Sequence, residues 1–595
     1  MCGILGIFGN IDINDDINII NEIKLLQINR GPNGFNSRVY NNCILAHNRL
    51  KIIDLSDNGM QPMENDNLSL VFNGEIYNYN ELKLNYLSDI KFNSSSDTEV
   101  LLNMFDKYGI EETLKKISGM YAIALYNKKT NKLYLIRDRM GEKPLYYYIE
   151  NKKIYFASNL KSIFYSLYKI KNKKWYLNYE SIYKYLLLGG CWEGETIIKN
   201  IFKLEKSHYL EINSNFDINK KKYWKPNLNN SNFIDNIRNS VNLMNNADVP
   251  LSILFSGGID SSVVLYYSKN GSNCIHLKNG ESEYAKIISN KLNGKIDIRN
   301  CENENIDVNK LLDYLKKYID FAGEPSMACI IVMLTLDGVK NKSTVVLTGN
   351  GGDELCYGYT RTPILDSNNN KNDIDNNNII HNRLIPNKNI IKSNENHQIL
   401  HIFRHPSIVS VKNVKQYTLD ELKNMIYSDI EIDSNLHKEA FYRFLEFNTF
   451  VSNDLNPTLD YASMFYSLET RSPFLDHNVI ESGLSLESRH HISSKKYNNW
   501  EFSRKKYLKD ILSNKLDENL YNRNKLGFSL PQNLHAAYNI VTGSSSLQKL
   551  VNRGIIEIKD LNIGNAGRDK SYLYASCTAL EEWFVQYVDT NIINI

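Results

Sequence analysis

Hydrophobic and polar positions change their period twice along the chain. As far as residue 157 the apolar residues come in short runs: CGILGIFG, NCILAHNRLKIID, LSLVFNGEIYN, GMYAIALYNKKTNKLYLIRD and KIYFAS. Each is rich in Ile, Val, Leu, Tyr and Phe and is bounded by polar or Gly-bearing stretches, which predicts strands joined by turns. DTEVLLNMFDKY, Asp97 to Tyr108, predicts a helix among them. The mixture implies antiparallel sheets with helices packed outside. From Tyr179 to Gly190 (YESIYKYLLLGG) the period turns helical, and IFKLEKSHYLEI and YWKP then read as a connecting strand and a linker. A boundary is expected within 195–235, giving a first domain over 2–195 and a second over 235–595.

The second domain opens with VPLSILFSGGIDSSVVLYYS, a buried apolar strand, a Gly-bearing turn and a helix start. STVVLTGNGGDEL repeats that design. Two strands ending in Gly-rich turns, with helical stretches between and after them, predict a parallel α/β domain whose site lies at the carboxyl ends of the strands. Residues 366–397 are Asn-rich and of low complexity, which predicts a disordered insertion. From about residue 415 the pattern is mostly helical, and no internal repeat is present.

Composition changes this picture little. A chain of 595 residues exceeds what one core usually supports, so two domains are expected. With 42% hydrophobic and 23% charged residues it is globular, and a formal charge of +3 gives no reason to expect a nucleic-acid partner. No run reaches the roughly 18 apolar residues of a membrane span, and no signal segment opens the chain, so a cytoplasmic protein without a membrane partner is expected. The eight cysteines form no CxxC pair, against both a zinc ribbon and a disulfide scaffold.

Only Cys2 has an unusual position. If Met1 is removed, Cys2 carries a thiol and a free α-amine, whose unperturbed pKa values of about 8.5 and 7.7–8.0 let the amine take the thiol proton. Taken alone, Cys2 reads more simply as a small buried hydrophobe at a strand start. Its companions add chemistry: Arg49 in HNRLKIID can clamp a carboxylate, and Asn73 with the Gly74 N–H in NGEIYN can donate to an oxyanion. Asp97, at a helix start, can hold an ammonium group. Each has a plain alternative, Arg49 as a surface ion pair and Asp97 as an N-cap.

In order, MCGI, RGP, AHxRLxIID, FNGEIYN, SDTEV, GMYAIALY and RDRMGEKPLYY resemble the glutaminase domain of class II glutamine amidotransferases. The resemblance implies an α+β N-terminal-nucleophile hydrolase sandwich, with Cys2 as nucleophile on the glutamine amide and Asn73 and Gly74 as oxyanion hole. It also implies Arg49, Glu75 and Asp97 as holders of the glutamine amino-acid group. Two departures stand out: the usual HRGPD reads NRGPN (Asn29 to Asn33), and the usual FASE reads FASN, with Asn159 replacing an acid.

SGGIDSS, Ser256 to Ser262, follows a strand and opens a helix, so its backbone N–H groups and hydroxyls face an anion. It lacks the lysine of GxxxxGK[ST], which argues against γ-phosphate transfer. It resembles the pyrophosphate loop of ATP pyrophosphatases, implying ATP contacts by Leu254, Ser256, Gly257, Gly258, Asp260, Ser261 and Ser262, with Thr348 and Gly349 from TGNGGDEL. Asp260 and Asp353 are the implied Mg2+ carboxylates. RNKLGFSLP makes Lys525 the expected cation at the transition state, with Lys505 in SRKKYLKDIL a distant rival.

A glutaminase followed by an α/β ATP-pyrophosphatase domain, with a parallel sheet and a helical C-terminal part, is similar to the glutamine-hydrolysing asparagine synthetase family. The implied reaction uses glutamine, ATP and aspartate and releases AMP and pyrophosphate. A homodimer is compatible with the sequence. Asn350 departs from the acid usual in SG[ED]G[GS]DE, so another group, with Glu469 in SLETRSPF as the candidate, is expected to take the ammonium proton, or else the synthetase half is slowed or altered. Two other readings stay open: an amidotransferase of the same build with another carboxylate acceptor, and a glutaminase-only or non-catalytic relative.

Overall fold

The computed structural model describes residues 2–228, 232–299, 307–359, 409–415, 417, 418, 421, 424, 438–486, 488–493, 502, 504–523, 541, 543–558 and 567–595. Residues 366–397 and Lys525 therefore lie outside the described residues.

Strand Gly3–Gly9 sits inside a six-stranded sheet, antiparallel to Cys43–Arg49 on one side and Lys153–Ala157 on the other. A second six-stranded antiparallel sheet is centred on Gly119–Asn127, between Leu68–Ile76 and Lys132–Arg137. Alternation along the strands decides what each face meets. Ile4, Phe8, Cys43 and Leu45 face Val71, Ala122, Ala124, Leu133 and Leu135 of the other sheet. Leu5, Ile7, Ile44 and Ala46, one residue out of step, pack on Ile19, Ile20 and Ile23 of helix Ile13–Leu26 and on Phe164 of helix Leu160–Lys171. Across the second sheet, Leu70, Phe72, Ile123 and Leu125 meet Leu101, Leu102 and Phe105 of helix Asp97–Lys116. The result is a four-layer sandwich, each fully buried Leu, Ile or Phe contributing about 1.5–3 kcal/mol.

The helix expected over Asp97–Tyr108 is present: Gly109, with a non-helical φ of 72°, breaks it there, and a second helical segment runs on to Lys116. One expectation is corrected here. Strands Ile201–Lys203, His208–Ile212 and Ile218–Lys222 extend the two sandwich sheets, so the first unit runs well past residue 195. Unpaired, the sheet edges they cover would expose N–H and C=O groups.

The second half is built on a five-stranded parallel sheet in the order Lys295–Arg299, Asn273–Leu277, Leu251–Leu254, Val345–Leu347, Glu469–Arg471. From Leu251–Leu254 the chain first builds outward on one side, then crosses to Val345–Leu347 on the other. That reversal opens a crevice at the carboxyl ends of these two strands, where SGGIDSS and TGNGGDEL follow. Strand Glu469–Arg471, only three residues long, carries no period that the sequence reading could use.

Side chains lock the halves together. Asp460 receives Arg30 at 2.9 Å and Lys143 at 3.2 Å, and Lys203 meets Glu324 at 3.2 Å, all nearly fully buried. Strand Ile593–Asn594 pairs in parallel with Trp175–Tyr176. Among the described residues no helix is long and apolar enough to cross a membrane.

Candidate active sites

Cys2 starts the strand Gly3–Gly9, and its backbone N–H donates to Asn73 Oδ1 at 2.9 Å. That leaves Asn73 Nδ2 buried with no hydrogen-bond partner among the described residues, a donor free for another acceptor. Gly74 follows with φ 154°, and a Cβ there would lie 2.0 Å from the Met120 carbonyl oxygen, so only glycine fits this approach. The Leu50 N–H lies 3.5 Å from Cys2 Sγ. Burial pushes the thiol pKa up, so the sulfur needs a neighbouring base to become a nucleophile.

A cavity of about 30 Å³ opens beside the sulfur. Its wall includes Cys2, Arg49, Gly74, Glu75, Asp97 and Glu469, which brings together every glutamine-site residue expected from the sequence except Asn73, and Asn73 is hydrogen-bonded to Cys2. Arg49 is oriented by backbone carbonyls, Nη1 donating to Ser56 O at 2.6 Å and Nη2 to Asp54 O. Gly59 covers the guanidinium so closely that a Cβ would lie 2.2 Å from Nη2. The helix cap is Ser96, whose hydroxyl accepts from the Thr98 N–H, while Asp97 Oδ2 accepts from the Ile76 N–H at 2.9 Å. Asp97 is thus no N-cap. Burial raises two of the pocket's three acids, Glu75 well above its usual range with help from Asp97, and Asp97 to about 6 with help from Glu469.

Glu469 and Arg471 come from the far half, and the sequence reading missed their place here. Arg471 Nε donates to Glu469 Oε1 at 2.7 Å, its Nη2 lies 3.4 Å from Glu75, and its Nη1 donates to the Met244 and Asn246 carbonyls. Burial alone would raise Glu469, but the terminal ammonium of the chain and then Arg471 outweigh it and lower the carboxyl. Glu469, the candidate for taking the ammonium proton, lies in the wall of the thiol pocket.

Both departures from the amidotransferase pattern are absorbed. Asn159 Oδ1 accepts from Arg30 Nη1 at 3.2 Å and its Nδ2 donates to the Phe321 carbonyl, while Asp460 meets the Arg30 charge. Arg30 Nε in turn donates to the Cys2 carbonyl at 3.0 Å. Asn33 Oδ1 accepts from the Lys51 N–H, and the Asn29 carbonyl accepts from Ser467 Oγ.

At the second site Gly257 takes φ 74°, and the loop closes on itself: Ser256 Oγ lies 3.1 Å from Ser261 Oγ and accepts from the Gly258 N–H at 3.1 Å. Asp260 stands in the first turn of helix Ile259–Tyr267, and Ser262 Oγ is buried with no hydrogen-bond partner among the described residues. The neighbouring loop comes so near that a Cβ on Gly349 would lie 2.9 Å from the Ser261 N, and one on Gly352 would lie 2.6 Å from Asp260 Oδ1. Thr348 holds that loop down, its N–H donating to the Arg471 carbonyl and its hydroxyl 2.9 Å from Ser472 Oγ.

Lys505 occupies the centre. Its Nζ donates to Asp260 at 2.6 and 2.7 Å and also pairs with Asp353. Burial would lower this amine, yet the two carboxylates raise it above its ordinary value, so it is cationic. Its backbone has φ 57°, a conformation costly for a side-chain-bearing residue and one that tends to cluster at active sites. Among the described residues, the lysine ranked second from sequence is the one paired with these carboxylates, and Lys525 lies outside the described residues.

The geometry defines a two-site amidotransferase: a terminal thiol with oxyanion donors, and a phosphate loop whose two carboxylates converge on one point. Comparison with known proteins agrees. Residues 1–224 match the glutamine amidotransferase domain family, and residues 232–556 match the asparagine synthase family. The second match covers more than half of the chain, which belongs to the asparagine synthase family. A protein named putative asparagine synthetase [glutamine-hydrolyzing] 2 from Methanocaldococcus jannaschii is 32% identical over 410 residues, covering 60% of this chain and 76% of that one. Asparagine synthetase [glutamine-hydrolyzing] 1 from Bacillus subtilis is 28% identical over 582 residues, 89% of this chain and 87% of its own. Glutamine phosphoribosylpyrophosphate amidotransferase from B. subtilis, solved with ADP and GMP, is 16% identical with a TM-score of 0.28, covering 50% of this chain and 65% of that one.

Proposed function

We propose that this protein is a cytoplasmic, glutamine-dependent asparagine synthetase, and the observation that carries the reading is that Glu469 of the ATP-site sheet walls the Cys2 pocket, with Arg471 of the same strand pairing it and Glu75. Two reactions that share a wall are built to pass a product between them.

After loss of Met1 the Cys2 amine takes the thiol proton, and the sulfur attacks the side-chain carbonyl of glutamine. The oxyanion faces Asn73 Nδ2 and the Gly74 N–H. Collapse breaks the C–N bond, the departing nitrogen receives the proton from the amine, and water later opens the thioester to give glutamate. Arg49 holds the substrate carboxylate, and Asp97 with Glu75 holds its ammonium group.

At the second site the side-chain carboxylate of aspartate attacks the α-phosphorus of ATP and pyrophosphate leaves. Ser256, Ser261, Ser262 and the loop N–H groups hold the leaving pyrophosphate, and Lys505 neutralises the charge that grows on it. Asp260 and Asp353 would hold Mg2+, their fit marked by the cation they already share in Lys505, and that ion would supply further charge neutralisation at the phosphates. Ammonia attacks the acyl carbon, a C–N bond forms, and AMP departs. Both intermediates are lost to water unless shielded, which the docked halves provide.

Incubation with glutamine, ATP, Mg2+ and aspartate tests the reading by assay of asparagine, AMP and pyrophosphate. Pyrophosphate formed only with another acid selects a different acceptor. Asn350 favours a second reading, a glutaminase without synthesis, and glutamate without pyrophosphate selects that.

A further inference from the structure

The turn that orients Arg49 is held from outside its own domain. Its key residue, Asp54, has φ 58° and presents its carbonyl to Arg49 Nη2. The Asp54 carboxylate organises the rest, accepting from the N–H groups of Ser56 and Ser95. What fixes the turn as a body is Asp248: its Oδ2 accepts from the Asp54 N–H at 2.9 Å, and its own N–H donates to the Ile52 carbonyl at 3.0 Å. Asp248 lies three residues before strand Leu251–Leu254, and that strand leads directly into the Ser256–Ser262 loop.

We propose that Asp248 is a positioning residue for glutamine binding, acting through the Asp54 turn on Arg49, so that the segment carrying the phosphate loop also sets the clamp for the glutamine carboxylate. This rests on the reading of the first site as a glutaminase. Asp248 touches no reacting atom. A conformation as restricted as that of Asp54 persists only where its surroundings hold it, and a turn released from Asp248 lets the guanidinium drift from the bound carboxylate. The loss falls on substrate binding and leaves the sulfur chemistry alone.

The experiment uses the full chain with Asp248→Ala and Asp248→Asn, measuring glutamate release against glutamine concentration and, in the same preparations, ammonia-dependent pyrophosphate release. Asp248 is exposed, so neither change opens a cavity. Expected for Asp248→Ala is a KM for glutamine raised about 5–10-fold, the net effect of one ordinary hydrogen bond, with kcat within twofold and the ammonia reaction unchanged. Asn keeps an acceptor oxygen and restores KM. An unchanged KM in Asp248→Ala overturns the inference, as does a parallel fall of both reactions, which marks a merely structural contact. A wild-type chain that releases no glutamate sinks the functional reading itself, a result distinct from any difference between variants.

Discussion

The two pockets are built on opposite plans. Around Cys2 nearly every polar group already has its partner within the protein: Arg49 on carbonyls, Asp97 on the Ile76 N–H, Arg471 between Glu75 and Glu469. At the phosphate loop the protein's own lysine fills the centre, where Asp260 and Asp353 converge. The first site is preassembled for a small, zwitterionic substrate, whose two charges meet two fixed sets of opposite charge. The second, on the reading proposed above, takes a polyanion, and Lys505 offsets the mutual repulsion of the two carboxylates. Glu469 of the second half also completes the first pocket. Dependence in that direction suits a nitrogen source that serves a synthesis.

Single substitutions separate the plans. Cys2→Ala removes the nucleophile and is expected to lower glutamine-dependent asparagine formation by at least about 10⁴-fold, while synthesis from ammonium salts continues; equal loss of both would break the distinction between sites. Lys505→Ala is expected to cost about 10²–10³-fold in pyrophosphate release from either nitrogen source, the range for loss of one transition-state charge partner. Glutamate release by that variant should stay within twofold of wild type.

Between the sites lies the shared wall, and Arg471→Ala tests it through stability. Breaking one member of a buried ion cluster strands its partners, here Glu75 and Glu469, at a cost of about 3–5 kcal/mol. Thermal unfolding should show a clearly lowered Tm, and Arg471→Lys should recover only part of it, since an ammonium cannot reach Glu75, Glu469 and two carbonyls with one planar fork. An unchanged Tm would mean that the halves dock without this cluster.

What could be read from the chain divides along the same line. The sandwich strands and the two Gly-rich turns announce themselves by period and by turn residues, and the pocket residues Cys2, Arg49, Asn73, Gly74 and Asp97 sit in contiguous motifs around them. The parts that Glu469, Arg471 and Asp248 play in and around the first pocket were invisible because they come from long-range packing between halves, about which local spacing is silent. Lys505 was underrated for a similar reason: nothing in SRKKYLKDIL distinguishes a solvated lysine from one carried by the fold to two aspartates 245 and 152 positions away. The helix Asp97–Tyr108 was legible from its period, and Gly109 breaks it where that period stops.

The smallest expected effect lies in the pH dependence of the first site. The Asp97 carboxyl, raised to about 6 by burial and by Glu469, binds an ammonium group only when ionised. Its pKa in the empty pocket is above the ordinary carboxylate range, so the binding-competent form dominates above pH 6 and is lost as pH falls through that value. The KM for glutamine should therefore be flat from pH 7 to 8 and climb below pH 6, approaching tenfold per unit for a single proton. Ammonia-dependent synthesis does not use Asp97 and should show no such inflection once the concentration of neutral ammonia is held constant. Asp97→Asn should raise KM at all pH values and flatten the profile. A profile that keeps its inflection in Asp97→Asn would assign the titration to Glu75, whose carboxyl is also raised and faces the same cavity.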